Sequence, residues 1–268
     1  PEKCNVTADT FITVRGTNIS CSEIRFYVYN ESISEYRYLQ TTVTNTGSYE
    51  DHVYLRYGQG DYIIFIFLVF PGSDTEYQAG YFYVTNTSTH DFRYFLPSGK
   101  VQCFNSLIMD KAKEITSGIV GDENRSKALH DWIVINLQYD YENYLSGNYV
   151  NVPQDALTSL TSKKAVCDGY SNLYAAFLRA LGIEAKYIIG DVTGGDENHA
   201  WNEVYWSGSW HIVDVTWDDP LMDDGSGNLT SNFPDGSNLR YTYFDISPAE
   251  FANDHTNGEV YIPRKYNK

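Results

Sequence analysis

Cys167, His199 and Asp214 follow one another along the chain as a thiol, an imidazole and a carboxylate, the side-chain types that together activate a cysteine for attack on carbonyl carbon. Cys167 stands in Lys164-Ala165-Val166-Cys167-Asp168-Gly169-Tyr170-Ser171, directly ahead of Leu173, Ala176, Phe177, Ala180 and Leu181, which recur at helical spacing as far as Gly182. The sulfur is therefore expected at a helix N-terminus, where unpaired amides and the positive end of the helix dipole favour a thiolate. His199 opens the alternating run His199-Ala200-Trp201-Asn202-Glu203-Val204-Tyr205-Trp206, and Ser207-Gly208 separates it from Ser209-Trp210-His211-Ile212-Val213-Asp214. This pattern predicts a β-hairpin with a two-residue loop. Trp206 then faces Ser209, His199 falls opposite Thr216, and Asp214 becomes a diagonal neighbour of His199 on the same face. Diagonal partners lie roughly 7–8 Å apart, within reach of a carboxylate that fixes the tautomer of an imidazole. Taken singly, a cysteine is commonly a small buried hydrophobe and a strand-end histidine a hydrogen-bonded one; the ordered set, with its helix start and hairpin, points to catalysis.

Four segments carry a family resemblance. Val166-Cys167-Asp168-Gly169-Tyr170, Leu178-Arg179-Ala180-Leu181-Gly182-Ile183-Glu184-Ala185, His199-Ala200-Trp201-Asn202-Glu203-Val204 and Val213-Asp214-Val215-Thr216-Trp217 resemble the core of the transglutaminase-like superfamily in its bacterial branch. The match continues upstream through Ala128-Leu129-His130-Asp131-Trp132-Ile133 and Leu137-Gln138-Tyr139-Asp140, and downstream through Tyr243-Phe244 and Asp254-His255. The resemblance implies a papain-like α+β core with Cys167 as nucleophile, His199 as base and Asp214 as orienter, and no cofactor. It leaves open cross-linking, peptidase and amide-hydrolase chemistry. All three catalytic positions match, which argues against the superfamily members that have lost catalysis. Animal transglutaminases typically place tryptophan after the cysteine; Asp168 stands there here and weakens a direct transfer of glutamine–lysine cross-linking.

Acyl transfer through sulfur also needs donors for the developing oxyanion. The Cys167 amide is the natural first. Gln138, Tyr139 and Trp201 are the candidates for a second.

A net charge of −16 in 268 residues disfavours nucleic acid and anionic membrane surfaces as partners. The longest apolar run, Tyr62 to Phe70, falls short of the roughly 20 residues of a spanning helix and fits a buried strand. Few Lys and Arg, abundant Tyr, Asn, Ser and Thr and a strand-rich front half suit a secreted or cell-surface protein. Peptide or protein substrates, some of them in a cell envelope, are the expected partners. The rival class is a non-catalytic adhesion or scaffold protein that binds through its front half. An arylamine-type acetyl transfer enzyme would use the same three residue types, but no feature suggests coenzyme A.

The chain divides near Leu96-Pro97-Ser98-Gly99. Residues 1–98 read as short strands, Phe11–Val14, Ile24–Tyr29, Tyr36–Val43, His52–Tyr57, Tyr62–Phe70 and Gly80–Val84, broken by turn signals, and predict an all-β immunoglobulin-like sandwich. Its tyrosines alternate with aliphatic residues and are expected to cover sheet faces. Residues 99–268 form the expected catalytic domain, in which two helices, around Leu107–Ile119 and Ala128–Ile135, precede the one that starts at Cys167.

Cys4, Cys21 and Cys103 remain for one disulfide and one thiol, with Cys4–Cys21 the preferred pair and three reduced thiols the equal alternative. No cysteine lies in a Cys-x-x-Cys pair, so no metal is expected there. The acidic run Asp218-Asp219-Pro220-Leu221-Met222-Asp223-Asp224-Gly225-Ser226-Gly227-Asn228 lacks the alternating spacing and bidentate glutamate of a calcium loop and is expected to be solvated. Sequons at Asn5, Asn18, Asn30, Asn86, Asn124 and Asn228 matter only in a glycosylating source. His90, His130, His211 and His255 are expected to be core or packing residues rather than catalytic ones.

Overall fold

The computed structural model describes residues 5–8, 10–17, 20–30, 37–43, 47–73, 75–194, 198–260 and 265–267. The chain falls into two compact units, Pro1–Gly99 with Pro263–Lys268, and Lys100–Ile262.

The first unit is built of strands. Strands β1 (Asn5–Ala8), β2 (Phe11–Thr17), β3 (Glu23–Asn30), β4 (Arg37–Val43), β5 (Ser48–Tyr54), β6 (Gly60–Val69) and β7 (Glu76–Asn86) are joined in this unit by a strand from near the end of the chain, β17 (Lys265–Asn267). They make a six-stranded sheet in the order β1-β7-β6-β3-β4-β17 and a two-stranded β2-β5 sheet. One core joins the two sheets: Ile12 and Val53 from the small sheet with Ile24, Phe26, Val28, Ile64 and Val84 from the large one. Strict alternation makes this possible, since on β3 the even positions from Ile24 to Asn30 are buried while the odd ones are partly exposed. The odd face carries Tyr27, packed against Phe67 at 5.1 Å, and Phe65 lies beside Tyr81 at 6.0 Å, so these aromatic rings do cover a sheet face. The sequence reading assigned everything after residue 98 to the rear domain. Strand β17 corrects this, because it pairs in parallel with β4 and satisfies its backbone groups on that strand. Cys21 is buried; the expected pairing with Cys4 lies outside the described residues.

The second unit mixes helices and strands. It runs through α1 (Ser106–Ile115), α2 (Asp122–Asn136), β8 (Gln138–Tyr139), α3 (Tyr141–Leu145), α4 (Ala156–Ser162), β9 (Lys164–Ala165) and α5 (Cys167–Ala180). Then come β10 (Ala185–Val192), β11 (His199–Trp206), β12 (Ser209–Val213), β13 (Met222–Asp223), β14 (Leu229–Thr230), β15 (Phe244–Ile246), α6 (Pro248–Phe251) and β16 (His255–Val260). Five of these strands form one sheet in the order β15-β12-β11-β10-β16. Helix α5 is its partner and is buried on every face from Gly169 to Arg179, its polar Ser171, Asn172 and Arg179 bonding the carbonyls of Ala200, Gln154 and Ala185. Gly169 permits this closeness: a Cβ there would fall 2.5 Å from both Ala165 Cβ and Ser159 Oγ. Tyr170, Leu173, Tyr174, Ala176 and Phe177 fill the core with Ile108 of α1 and Leu129 and Ile133 of α2. No helix among the described residues is long and apolar enough to cross a membrane.

Candidate active site

Helix α5 begins at Cys167 with Val166 as its N-cap, and the amides of Gly169 and Tyr170 both bond the Val166 carbonyl. The sulfur therefore sits on the first turn, and Cys167 and Asp168 are partly exposed while the helix is buried from Gly169 to Arg179. The hairpin forms with the expected register: Trp206 pairs Ser209 and Asn202 pairs Val213. Ser207 and Gly208 both take positive φ, 51° and 89°, as the tight hairpin turn requires. The ladder ends at Val213. Asp214 consequently reaches His199 from a turn rather than as a strand neighbour, and its Oδ1 accepts the amides of Thr216 at 3.0 Å and Trp217 at 3.1 Å. That turn aims Oδ2 at His199 Nε2, 2.6 Å away.

With Nε2 committed to Asp214, Nδ1 is the ring nitrogen left for the thiol, and Cys167 and His199 line the same two clefts. Burial alone would push the His199 imidazole toward neutrality, but the charge and hydrogen bond of Asp214, with a further contribution from Cys167, raise its pKa to about 10. Asp214 is fully buried, which opposes its ionisation; His199 and then His255 overcome that cost and hold it at about 2. The ion pair is thus built to persist across the neutral range. Two clefts meet at this point. One, of about 410 Å³, is walled by Tyr139, Tyr141, Tyr144, Trp217 and Asp219; the other, of about 630 Å³, by Lys100, Val152, Gln154, Asp168 and Tyr187; Cys167, Asn198 and His199 line both.

Three expectations need correction. Gln138 lines neither cleft, and its Nε2 donates to Thr230 Oγ1 at 3.3 Å. Trp201 is buried in a small core with Ile188 and Phe251 and meets no cleft. It needs glycine beside it, since a Cβ on Gly190 would come within 2.4 Å of its ring. Of the three donors named from sequence, only Tyr139 faces the nucleophile's surroundings. The acidic segment is solvated only in its second half. Asp223 and Asp224 cap the exposed β13–β14 turn through the amides of Gly225 and Ser226, at 2.7 Å each. Asp218 and Asp219, by contrast, are buried, because local turn-forming signals say nothing of the tertiary partners that await them. Tyr170 donates to Asp219 Oδ2 at 2.6 Å, Asn238 donates to Oδ1, and burial raises the carboxyl to about 7.

Two residues of the site were not expected there from the sequence, Gln154 because nothing pointed to it and His255 because it read as a packing residue. Gln154 is buried in the second cleft; the Val166 amide fixes its Oε1 at 3.0 Å, and Nε2 has no partner among the described residues. His255 bonds Asp214 Oδ2 at 3.1 Å. The signals available were weak: a glutamine upstream of the nucleophile, and the Asp254-His255 pair already inside the resemblance. Together His199, Asp214 and His255 bring three potential metal-binding atoms within 4.8 Å of one another, and those atoms hydrogen-bond among themselves.

Residues 110–215 match the transglutaminase-like superfamily. The chain carries a transglutaminase-like domain. Over 162 residues, 56% of this chain, it is 31% identical to the kyphoscoliosis peptidase of Mus musculus, and over 147 residues 32% identical to that of Homo sapiens. It spans only 22% and 21% of those two proteins. Among solved structures, a candidate cysteine protease from Cytophaga hutchinsonii superposes with a TM-score of 0.43 at 20% identity, over 96% of this chain and 85% of that one. Red sea bream transglutaminase gives 0.36 at 11% identity, over 87% and 51%.

Proposed function

We propose that the transglutaminase-like domain attacks amide carbonyls of peptides or proteins through Cys167. The observation that carries this reading is a His199 ring bonded to Asp214 on one side, lining with Cys167 the place where two clefts meet. With the proton already on His199, the Cys167 sulfur attacks as the thiolate and forms a bond to the carbonyl carbon, and the C–N bond breaks as His199 passes that proton to the leaving amine. A thioester on Cys167 results. Water then gives hydrolysis, or an amine gives a new amide bond. The Cys167 amide and the unpartnered Gln154 Nε2 are the donors this reading assigns to the oxyanion. The chemistry requires no cofactor, and the acidic, hydroxyl-rich composition supports an exported, cell-envelope setting.

Incubation with a glutamine-containing peptide and a labelled amine, read by mass spectrometry, separates incorporation, deamidation and cleavage. At least one product is expected, lost in Cys167→Ala. Iodoacetamide labelling that persists in Cys167→Ala at the original rate would rule the reading out.

A further inference from the structure

Asp214 is held by two histidines. Its Oδ1 is occupied by amides of its own turn, and its Oδ2 receives His199 Nε2 at 2.6 Å and His255 Nε2 at 3.1 Å. The His255 side chain is fully buried. Its Nδ1 meets Asp254 Oδ1 at 2.6 Å, and the other Asp254 oxygen accepts the Tyr243 hydroxyl at 2.6 Å. Its ring stacks on Phe251 at 3.9 Å and packs against Trp217 at 4.3 Å. The backbone beneath is tied down as well, because His255 pairs with Val192 across β16 and β10.

A ring needed only for packing would be satisfied by Phe251 and Trp217. This one sends a nitrogen to the same carboxylate oxygen that orients His199. We infer that His255 is a positioning residue: anchored by Asp254 and Tyr243, it fixes the Asp214 carboxylate so that His199 meets Oδ2 in a single orientation while Cys167 reacts. This role presupposes the thiol chemistry proposed above for Cys167 and His199. Its physical basis is that a displacement of about 1 Å in a catalytic constellation can cost roughly a hundredfold in rate. The titratable groups that face His255 are Asp214, Asp254, His199 and Tyr243, the last two with ring centres 5.4 and 5.5 Å away.

The test compares the wild-type chain with His255→Phe, which keeps ring volume without a donor, and His255→Gln, which keeps an N–H for Asp214. Iodoacetamide labelling of Cys167 is followed across pH, and kcat and KM are measured on whichever peptide the wild type turns over. His255→Phe should lower the labelling rate and kcat about tenfold or more, leave KM nearly unchanged and move the alkaline limb of the profile, set by His199, to lower pH. His255→Gln should recover most of the rate. A His255→Phe profile that is unchanged, or whose alkaline limb moves upward, overturns the inference. If His255→Phe does not fold, as judged by circular dichroism, Tyr243→Phe and Asp254→Asn decide the matter: a smaller shift in the same direction supports the role, and an unmoved profile ends it. Wild-type labelling no faster than that of the urea-unfolded chain would instead sink the proposed function itself.

Discussion

Two buried histidine–aspartate pairs lie four residues apart on one loop and serve different ends. Asp214 bonds His199; Asp218 bonds His130 Nε2 at 3.1 Å, with Asp131 on the other ring nitrogen at 3.0 Å. In both, the ion pair overcomes the burial that would otherwise lower the histidine's pKa. They differ in what faces the ring. His130 is entirely enclosed, beside Tyr241 and Phe244, and its partner Asp218 also accepts the Tyr243 amide at 3.0 Å. His199 opens onto two clefts and a thiol. The pair chemistry is therefore common to a structural pin and a reactive centre, and access together with a nucleophile distinguishes them.

The largest expected separation is kinetic. His199→Ala and Asp214→Asn should each depress turnover roughly 10³–10⁴-fold while the protein stays folded, by analogy with the serine triad. His130→Phe should leave Cys167 labelling within about twofold of wild type but lower stability by about 3–5 kcal/mol in urea melts, since it leaves the buried Asp218 carboxylate without its charged partner. Comparable rate losses in both sets would erase the distinction.

The pH dependence of stability gives a third contrast. His199, raised to about 10, contributes stability that is complete below its ordinary 6.5 and is lost as pH climbs through 10; Asp214, lowered to about 2, contributes stability that is complete above its ordinary 3.8 and is lost as pH falls through 2. Asp219 runs against its neighbour. Raised to about 7, it costs stability as pH rises from 3.8 through 7. Asp219→Asn should therefore flatten the wild-type fall between pH 4 and 8 in chemical denaturation; an identical slope in both proteins would show that Asp219 does not titrate as its surroundings imply. The smallest effect is expected from Tyr170→Phe, which removes one donor to Asp219 and should cost about 1–3 kcal/mol.

Local rules carried the sequence reading far in this chain. Helical spacing after Cys167 located the start of α5, and the Ser207-Gly208 turn set a register that the ladder reproduces as far as Val213. Alternation located β2, β3, β4, β6 and β7 of the first unit, because each strand needs one buried face, but it missed β1 and set β5 at His52–Tyr57 rather than Ser48–Tyr54. What escaped was non-local. The contact between His255 and Asp214 spans 41 residues, and the burial of Asp218 depends on His130, 88 residues away. The donor on Gln154 stands out only because its own carbonyl is fixed by Val166. No period or turn signal encodes such meetings. Trp201 illustrates the converse error: alternation puts it on the same strand face as His199, so it looks like part of the site, yet the space left by Gly190 and Gly258 takes its ring into the core.

The most direct measurement is peptide-mapped iodoacetamide labelling at pH 7 of the wild type, Asp214→Asn and the urea-unfolded chain. Cys167 in the folded wild type should label at least tenfold faster than in either comparison, with the difference confined to that cysteine. Equal rates at Cys167 in all three would contradict the activation of its thiol by the His199–Asp214 pair.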